Sequence, residues 1–350
     1  MKRTIAAVLA MLLVMTLSAC GAKSAEEQFI AMDTVIAFRA EGKQAEKVLE
    51  EARQQIYDLE ALLSRTRGES EVTLLNEAGG ERVEVSATLL HLLEAAKTYC
   101  RLTGGMFDIT IAPVVDAWGF TTENRQVPDA NILKEKLKLV DSEKISLDDS
   151  GASLDIGQQI DLGGIGKGYV SDLMQELFER YDISGGTVSL GGNVYVKGTK
   201  EDGSLWMVGV QDPKQPESSA LVGMVGLSDA FAVTSGGYQR YFEQDGTVYH
   251  HIIDPATGYP ADSGLTSVTV VASAEAASAE GMAGNGTMCD ALSTALFVMG
   301  EEKALEFWRE SGLDFNLILV TDDDRVIVTD EIAEQFVPSQ EEVYTYETVS

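Results

Sequence analysis

The stretch DLGGIGKGY, residues 161 to 169, combines four glycines with one lysine. Glycines allow the backbone to approach a phosphate closely and a lysine neutralises its charge, so this composition indicates phosphate binding. A Walker A loop would require a hydroxyl residue after Lys167, where Gly168 stands, and a dinucleotide fingerprint would require a small residue where Tyr169 stands. The stretch is therefore either another phosphate-binding design or a strand-to-helix turn whose glycines only permit a positive φ.

Two side chains with hard oxygen atoms occur in CDALSTALFVMG, residues 289 to 300. On a helix, Asp290 and Thr294 are four residues apart and face the same way. A carboxylate and a hydroxyl are suitable ligands for Mg²⁺, which takes few protein ligands and completes its shell with water and phosphate oxygens. The local sequence by itself favours a structural alternative, in which Asp290 caps the helix and Thr294 faces the core.

Two adjacent histidines precede a turn in VYHHIIDPATGYP, residues 248 to 260. In a strand, His250 and His251 point to opposite faces, so one can face a site while the other packs or meets water. A histidine beside a rigid turn is suited to act as a general base, because its ordinary pKa lies near neutral pH. A structural histidine that ties down the turn fits the local sequence equally well.

Two further segments are less specific. Phe107, Asp108 and Trp118, in residues 104 to 120, could stack on a flat ring and hydrogen-bond it, or could form a buried aromatic cluster. Ser235 lies in TSGGY, which is not the G-x-S-x-G of a hydrolase elbow, so a hydrolase of that type is unsupported.

The N-terminus carries two basic residues, an apolar run from residue 5 to 17, and LSAC ending at Cys20. This order is typical of a secretory signal with a lipobox, and the apolar run is too short to span a bilayer. We expect residues 1–19 to be a signal peptide, Cys20 to be lipidated and residues 20–28 to form a tether; the alternative is an ordinary cleaved signal. The predicted location is the extracytoplasmic face of the cell membrane, as a periplasmic or cell-surface lipoprotein.

The 350-residue chain is strongly acidic, with a formal charge of −30 at 45% hydrophobic content. Such a surface repels nucleic acid and anionic lipid headgroups, so an anionic substrate must be attracted by a local device such as a metal ion or a helix N-terminus. No C-x-x-C or Cys/His cluster occurs, which argues against zinc and iron–sulfur chemistry. Cys100 and Cys289 are expected to be buried free thiols.

The two halves of the chain differ in their predicted elements. Apolar spacing predicts helices at 43–64, 86–103, 129–140, 169–181 and from near Asp290. The second half contains short stretches that are rich in β-branched residues and bounded by Gly, Asp or Pro, which indicates an α+β fold with a largely antiparallel sheet. Residues 273–287 are predicted to form a surface loop, and residues 338–350 an acidic tail.

Seven stretches taken together resemble the ApbE-type FAD:protein FMN transferase family, although none is specific alone. They cover roughly residues 29 to 328, in the family's order, and are AMDT, GGMFDIT, IDLGGIGKGY, SLGGNVYVKG, TSGGYQRYF, HHIIDPATGYP and DALSTAL. The resemblance implies an ApbE-like, T-fold-related single large α+β domain at residues 29–337, with a mostly antiparallel sheet and flanking helices. It also implies a magnesium-dependent enzyme that transfers FMN from FAD to a threonine or serine of a target flavoprotein and releases AMP. The expected acceptors are extracytoplasmic or membrane electron-transfer flavoproteins.

The resemblance also implies roles for particular residues. Asp290 and Thr294 match the family's magnesium ligands, and the backbone carbonyl of Gly164 matches a third ligand. As a metal ligand at the reacting phosphates, Asp290 is also expected to be catalytic. His251 matches the residue proposed as the base for the accepting hydroxyl. Positions that match contacts to FAD are Met32, Met106, Phe107, Asp108, Asp161, Lys167 and Thr287.

The chain departs from the family at two places. SRTR, residues 64 to 67, lies where many relatives place an aromatic residue against a ring of the substrate, and Thr66 cannot stack. The loop at residues 273–287 is longer than its counterpart in the family and can alter the contact near Thr287.

Two other functions fit parts of the same pattern. With water as the acceptor, the chain is a magnesium-dependent FAD pyrophosphatase that yields FMN and AMP. A non-catalytic flavin-binding or solute-binding lipoprotein is the second alternative, but it has no need for Asp290 with Thr294 or for a histidine at the end of a strand.

Overall fold

The computed structural model describes residues 24–122, 124–275 and 281–350. The strands in this part of the chain are β1 (Ser24–Ala31), β2 (Thr34–Glu41), β3 (Val83–Glu84), β4 (Ser146–Asp148), β5 (Gly151–Ser153), β6 (Gly185–Leu190), β7 (Asn193–Lys197), β8 (Trp206–Gln211), β9 (Leu221–Leu227), β10 (Ala230–Gly236), β11 (Tyr241–Gln244), β12 (Thr247–His250), β13 (Leu265–Ser273), β14 (Asn316–Thr321), β15 (Arg325–Thr329), β16 (Phe336–Pro338) and β17 (Thr345–Val349). The helices are α1 (Ala45–Leu63), α2 (Glu71–Glu77), α3 (Ala87–Leu102), α4 (Ala112–Trp118), α5 (Ala130–Leu137), α6 (Gly166–Arg180), α7 (Asn285–Met299), α8 (Glu301–Glu310) and α9 (Asp330–Ala333).

The main sheet of the described residues has the strand order β1-β2-β6-β7-β10-β13-β14-β15-β17, and its neighbours are antiparallel except for β15 and β17. Helices α1, α6 and α7 pack on one face, and the small sheet β16-β9-β8 covers part of the other. On β14, Leu317 and Leu319 join the helix-side core, whereas Ile318 and Val320 join the core beneath the small sheet. Both faces of β14 are therefore buried, which explains its unbroken apolar sequence.

The fold class predicted from the sequence is confirmed as a single α+β domain with a large, mostly antiparallel sheet and flanking helices. Helix α1 buries the predicted stripe that includes Val48, Ala52 and Ile56. Helix α3 begins after Ser86, whose hydroxyl accepts a hydrogen bond of 3.2 Å from the Leu89 amide as an N-cap. The strand stretches of the second half form β6 to β10 and β12 to β15.

Both ends of the described chain lie in the main sheet, which corrects two predictions. Residues 24–28 belong to β1 and not to a tether, because β1 pairs with β2 along its whole length and the Phe29 ring stacks on Phe38 at 6.1 Å. The predicted acidic tail is wrong from residue 345 onwards, since Thr345–Val349 forms β17. The predicted signal peptide and Cys20 lie outside the described residues. Among the described residues, no helix has the length and apolar composition needed to cross a membrane.

Helix α7 begins at Asn285, five residues before the predicted start at Asp290. Asp290 is therefore not an N-cap, and residues 285–287 are helical instead of belonging to the predicted loop. The residue at the N-cap position, Gly284, has no side chain that could accept from the first turn. The Gly286 amide donates instead to the carboxylate of Asp172 on α6. Asp172 lies 114 residues earlier in the chain, so the local sequence does not reveal this cap.

Candidate active site

A cavity of about 980 Å³ lies at the end of the main sheet where the β1–β2 and β6–β7 turns meet. This volume is at the upper end of the range for small-molecule sites, roughly 300–1,000 Å³. One side, which we call the helix wall, contains Gly164, Lys167, Asp290 and Thr294. A second group of lining residues, which we call the strand wall, contains Met32, Ser235, Arg240 and His251. The fold therefore brings the glycine stretch, the oxygen pair and one histidine to a single cavity.

The helix wall depends on a close crossing of α6 and α7. The Gly168 amide, in the first turn of α6, donates a hydrogen bond of 2.8 Å to Asp290 Oδ2. A Cβ atom at Gly168 would lie only 2.3 Å from the Gly286 carbonyl oxygen and 2.6 Å from the Asp290 Cβ. Gly168 is thus required for the close approach of the two helices. The glycine stretch therefore has a packing role, in addition to leaving the backbone accessible to a phosphate.

The oxygen atoms on the helix wall fit a magnesium ion. Asp290 is 3% exposed, and no hydrogen bond from the described residues reaches its second oxygen, Oδ1. Thr294 follows one turn later on the same face of α7, and its Oγ1 would lie 3.2 Å from a Cβ atom built on Gly164. The described residues hold no group of three or more His, Cys, Asp and Glu that suits a metal ion. One carboxylate with a hydroxyl and a backbone carbonyl suits Mg²⁺, which keeps several waters or phosphate oxygens in its shell.

The two walls meet through hydroxyl groups. Ser235 Oγ lies 2.8 Å from Ser293 Oγ and 3.3 Å from Thr294 Oγ1. Ser293 Oγ in turn donates to the Asp290 carbonyl oxygen at 2.9 Å. Ser235, at the end of β10, therefore holds the Thr294 hydroxyl of α7 in place. Its contacts are with other hydroxyl groups and not with a base, as those of a nucleophilic serine would be.

His251 on the strand wall is held as a neutral imidazole. Its Nδ1 lies 3.1 Å from the Arg240 carbonyl oxygen, and because a carbonyl only accepts, Nδ1 carries the proton and Nε2 keeps its lone pair. Burial lowers the pKa of His251 to about 3, and the neighbouring charges of Arg240 and His250 act in the same direction. His251 is therefore uncharged at any ordinary working pH, and its Nε2 can accept a hydrogen bond from a hydroxyl group.

His250 confirms that the two histidines point to opposite faces. Its Nε2 lies 3.1 Å from the Ala261 carbonyl oxygen, and its ring packs edge-on against Phe297 at 5.4 Å. Burial lowers the pKa of His250 as well. His250 is thus the structural histidine that holds the turn, while His251 faces the cavity.

Asp161 is bound by a basic residue that the sequence did not single out. Arg65 Nη1 donates to Asp161 Oδ2 at 3.0 Å, and Arg65 Nη2 donates to both oxygens of Asp116 at 2.7 Å. Asp161 Oδ1 accepts from the Gly163 amide at 2.8 Å. In place of the aromatic residue expected near residues 64–67, the chain has a guanidinium that fixes the start of the glycine stretch. Arg65 thus bridges two carboxylates, each through one nitrogen of its guanidinium, with charge-assisted hydrogen bonds.

The predicted contacts at Met32 and Phe107 line the cavity, as does Met106. Met32 lies in a two-residue turn whose central residues, Met32 and Asp33, both have positive φ, 52° and 58°. This is the type I′ geometry that fits the twist of a hairpin. The Met32 amide donates to Glu60 Oε1 at 3.1 Å, which ties the turn to α1.

Asp108, Trp118 and Thr287 have structural partners. Asp108 lines the cavity, but its oxygens accept from the Thr110 amide and hydroxyl and from the Ser142 amide, at 2.6 to 3.1 Å. Trp118 is fully buried in an aromatic cluster and cannot stack on a substrate. Thr287 is also fully buried and donates to Asp172, so it lies behind the cavity wall and not in it.

Lys167 lines the cavity, with Nζ 3.4 Å from the Gly163 carbonyl oxygen. Cys100 and Cys289 are free and buried, as expected.

Comparisons with known proteins agree with this geometry. The model of the ApbE family matches residues 32–317. A curated FAD:protein FMN transferase of Klebsiella pneumoniae is 33% identical over 283 residues, covering 80% of this chain and 84% of the relative. The curated FAD:protein FMN transferase of Treponema pallidum is 32% identical over 323 residues, covering 84% and 85%. The crystal structure of the ApbE protein of Thermotoga maritima superimposes with a TM-score of 0.79 at 30% identity, covering 89% of this chain and 99% of that protein.

Proposed function

The chain belongs to the ApbE family, and we propose that it transfers the FMN half of FAD to a threonine or serine hydroxyl of an acceptor flavoprotein, with release of AMP. The observation that carries the proposal is the pairing of two walls in one cavity. A neutral histidine, whose Nε2 makes no hydrogen bond with any described residue, lines the same cavity as a buried carboxylate, a hydroxyl and a glycine stretch. Flavin binding alone does not require a base, whereas transfer to a hydroxyl is assisted by a base within hydrogen-bond reach.

The proposed reaction is a displacement at the phosphorus of the FMN half. The acceptor oxygen forms a bond to that phosphorus, and the bond from the phosphorus to the bridging oxygen of the pyrophosphate breaks. AMP leaves with the bridging oxygen, and His251 Nε2 takes the proton of the acceptor hydroxyl. Positioning and charge neutralisation supply most of the catalysis in such reactions, and a base that is within hydrogen-bond reach adds to them.

Residues on the helix wall support the pyrophosphate. Asp290 Oδ1, Thr294 Oγ1 and the Gly164 carbonyl would hold Mg²⁺, whose charge would neutralise the phosphate oxygens when it is bound. Lys167 adds a positive charge at the start of α6, where the helix dipole also favours an anion. The local charge of this wall counteracts the repulsion that a chain of −30 exerts on a dinucleotide.

We also propose that the enzyme works outside the cytoplasm as a lipoprotein anchored through Cys20, on extracytoplasmic or membrane electron-transfer flavoproteins. The basic start, the apolar run and the lipobox LSAC support this proposal. Mass spectrometry of the mature N-terminal peptide should find a diacylglyceryl group on Cys20, and the Cys20→Ser protein should not fractionate with membranes. An unmodified Cys20 at the mature N-terminus would overturn the anchor but leave the reaction unaffected.

The transferase proposal is tested by incubating the purified protein with FAD, Mg²⁺ and a flavoprotein substrate of one of the curated relatives. We expect flavin to remain attached to the acceptor after denaturation, one AMP to appear for each attached FMN, and EDTA to abolish both. If free FMN and AMP accumulate while the acceptor stays unlabelled, the chain is a pyrophosphatase. Tight FAD binding without either product would instead identify a non-catalytic flavin-binding protein.

A further inference from the structure

Asp172 is a buried carboxylate that the proposed reaction does not use. It lies on α6, is 8% exposed and does not line the cavity. Its Oδ1 accepts from the Gly286 amide at 2.7 Å, and its Oδ2 accepts from the Thr287 amide at 2.9 Å and the Thr287 hydroxyl at 2.5 Å. All these donors belong to the first turn of α7, so Asp172 supplies from another helix the cap that α7 lacks.

The fit between Asp172 and the start of α7 leaves no room for side chains. A Cβ atom on Gly284 would lie 2.2 Å from the Asp172 Cγ, and one on Gly286 would lie 2.8 Å from both Asp172 Oδ1 and the Gly168 carbonyl oxygen. The two glycines thus allow the helix terminus to rest directly on the carboxylate. A negative charge at this end of α7 is also favoured by the helix dipole.

A second link joins the same two helices one turn further on. The Gly168 amide, four residues before Asp172 on α6, donates to Asp290 Oδ2, three residues after Thr287 on α7. Two attachment points of this kind fix both the rotation of α7 and its position along its axis. The glycine stretch lies at the start of α6, and Asp290 and Thr294 lie on α7, so these attachments determine the separation of the proposed magnesium ligands.

We propose that Asp172 is a positioning residue of the active site, which holds α7 in the register that lets Asp290 and Thr294 act together with the glycine stretch. This inference rests on the proposed magnesium-dependent function. The carboxylate needs both of its oxygens as acceptors. In Asp172→Asn, one oxygen is replaced by an NH2 group, which would face the N–H group of Gly286 or Thr287. Two donors cannot bond to each other, so the first turn of α7 must shift.

The test measures Mg²⁺ binding directly, by calorimetry on Asp172→Asn, Asp290→Ala and the unaltered protein without FAD. We expect Asp172→Asn to weaken Mg²⁺ binding by about tenfold, the lower end of the effect of changing a direct partner of a ligand, because Asp172 acts on the ligands through the position of α7. The Mg²⁺ concentration for half-maximal flavin transfer should rise by the same factor. Saturating Mg²⁺ should restore most of the turnover, which a protein that is merely destabilised would not show.

Asp229→Asn provides the matched control, because Asp229 also accepts from a backbone amide, that of Gly198 at 3.0 Å, but its side-chain partners lie outside α7. Both variants are expected to unfold at lower temperature, and only Asp172→Asn to change Mg²⁺ affinity. Unaltered Mg²⁺ affinity in a folded Asp172→Asn protein would overturn this inference alone. Unaltered affinity in Asp290→Ala would instead overturn the magnesium assignment itself.

Discussion

The two walls of the cavity differ in how firmly their functional groups are held. On the helix wall, Asp290 is 3% exposed and is bonded to the backbone of α6, and glycines bring the helices into direct contact. On the strand wall, the β1–β2 turn reaches solvent, since the Asp33 side chain is 80% exposed. The difference fits the proposed function, in which charge neutralisation uses a fixed set of oxygen atoms, whereas the side with the proposed base admits a macromolecule that brings its own hydroxyl.

Removal of the carboxylate from the helix wall should have the largest effect. We expect Asp290→Ala to lower flavin transfer by roughly 10³-fold and to abolish Mg²⁺ binding, since the substitution removes a charged ligand and the partner of the Gly168 amide. Transfer rates and calorimetry with Mg²⁺ measure the two effects. Full activity in this variant would show that the helix wall does not carry the charge-handling role.

Replacement of the base on the strand wall should leave the helix wall intact. We expect His251→Gln to lower turnover by about 10²-fold, in the range for loss of a general base, with unchanged Mg²⁺ and FAD affinity. His250→Gln is the matched control, because His250 bonds to the Ala261 carbonyl and faces away from the cavity. Equal losses of turnover in the two variants would contradict the separate roles assigned to the adjacent histidines.

A methyl group at the helix crossing should test how rigid the helix wall must be. In Gly168→Ala, the new carbon would meet the Gly286 carbonyl oxygen at 2.3 Å, so we expect a loss of about 2 kcal/mol in unfolding free energy and weaker Mg²⁺ binding. Chemical denaturation and calorimetry measure these quantities. Gly68→Ala is the control, since no atom lies within 4 Å of a Cβ built there and the position is not in the cavity wall.

The effect that is smallest at neutral pH, and grows as the pH falls, is on the pH dependence of stability. The pKa of His251 is about 3 in the folded protein and about 6.5 in an unfolded chain. As the pH falls from 6.5 towards 3, the unfolded chain binds a proton that the folded protein does not, so stability decreases by up to about 1.4 kcal/mol per pH unit. Denaturation curves should show that His251→Gln loses this contribution. An unchanged slope in the variant would contradict a neutral His251 in the folded protein.

The pKa of Asp172 works in the opposite direction. Burial raises it to about 7, although the hydrogen bonds from Thr287 and Gly286 oppose the rise. A pKa raised above that of the unfolded chain contributes stability that decreases as the pH rises from about 4 to 7, and above pH 7 the group is the carboxylate that accepts from the first turn of α7. The His251→Gln comparison must accordingly be made as a difference between the two proteins at each pH.

Sequence alone predicted the elements whose signals are local. The β-branched runs of the second half, the stripe on α1 and the Ser86 cap all form as expected, because neighbouring residues contain the pattern. Strands β1 and β2 were missed, since exposed polar residues alternate with half-buried ones in SAEEQFIA and mask the strand. The start of α7 was missed because its cap is distant in sequence.

The candidate site was predictable in its chemistry but not in its supports. Asp290, Thr294, Lys167 and His251 were found from residue type and motif, and the structure brings them to one cavity. The pairing of Arg65 with Asp161 could not be inferred, because an arginine in a polar loop gives no sign of its partner 96 residues away. Thr287 was predicted from its motif position to contact FAD, but its side chain is buried against Asp172. Motif position does not reveal in which direction a side chain points.

The two edges of the main sheet are formed by the first and last strands of the described chain, β1 and β17. Removal of the last residues would uncover β15, whose sequence RVIVT is apolar and β-branched and would offer unpaired backbone groups to a second molecule. A protein shortened at residue 344 should therefore associate through this edge even though its cavity is untouched. Solubility and catalysis are thus separable in this enzyme, and an affinity tag fused after residue 350 is safer than a truncation near it.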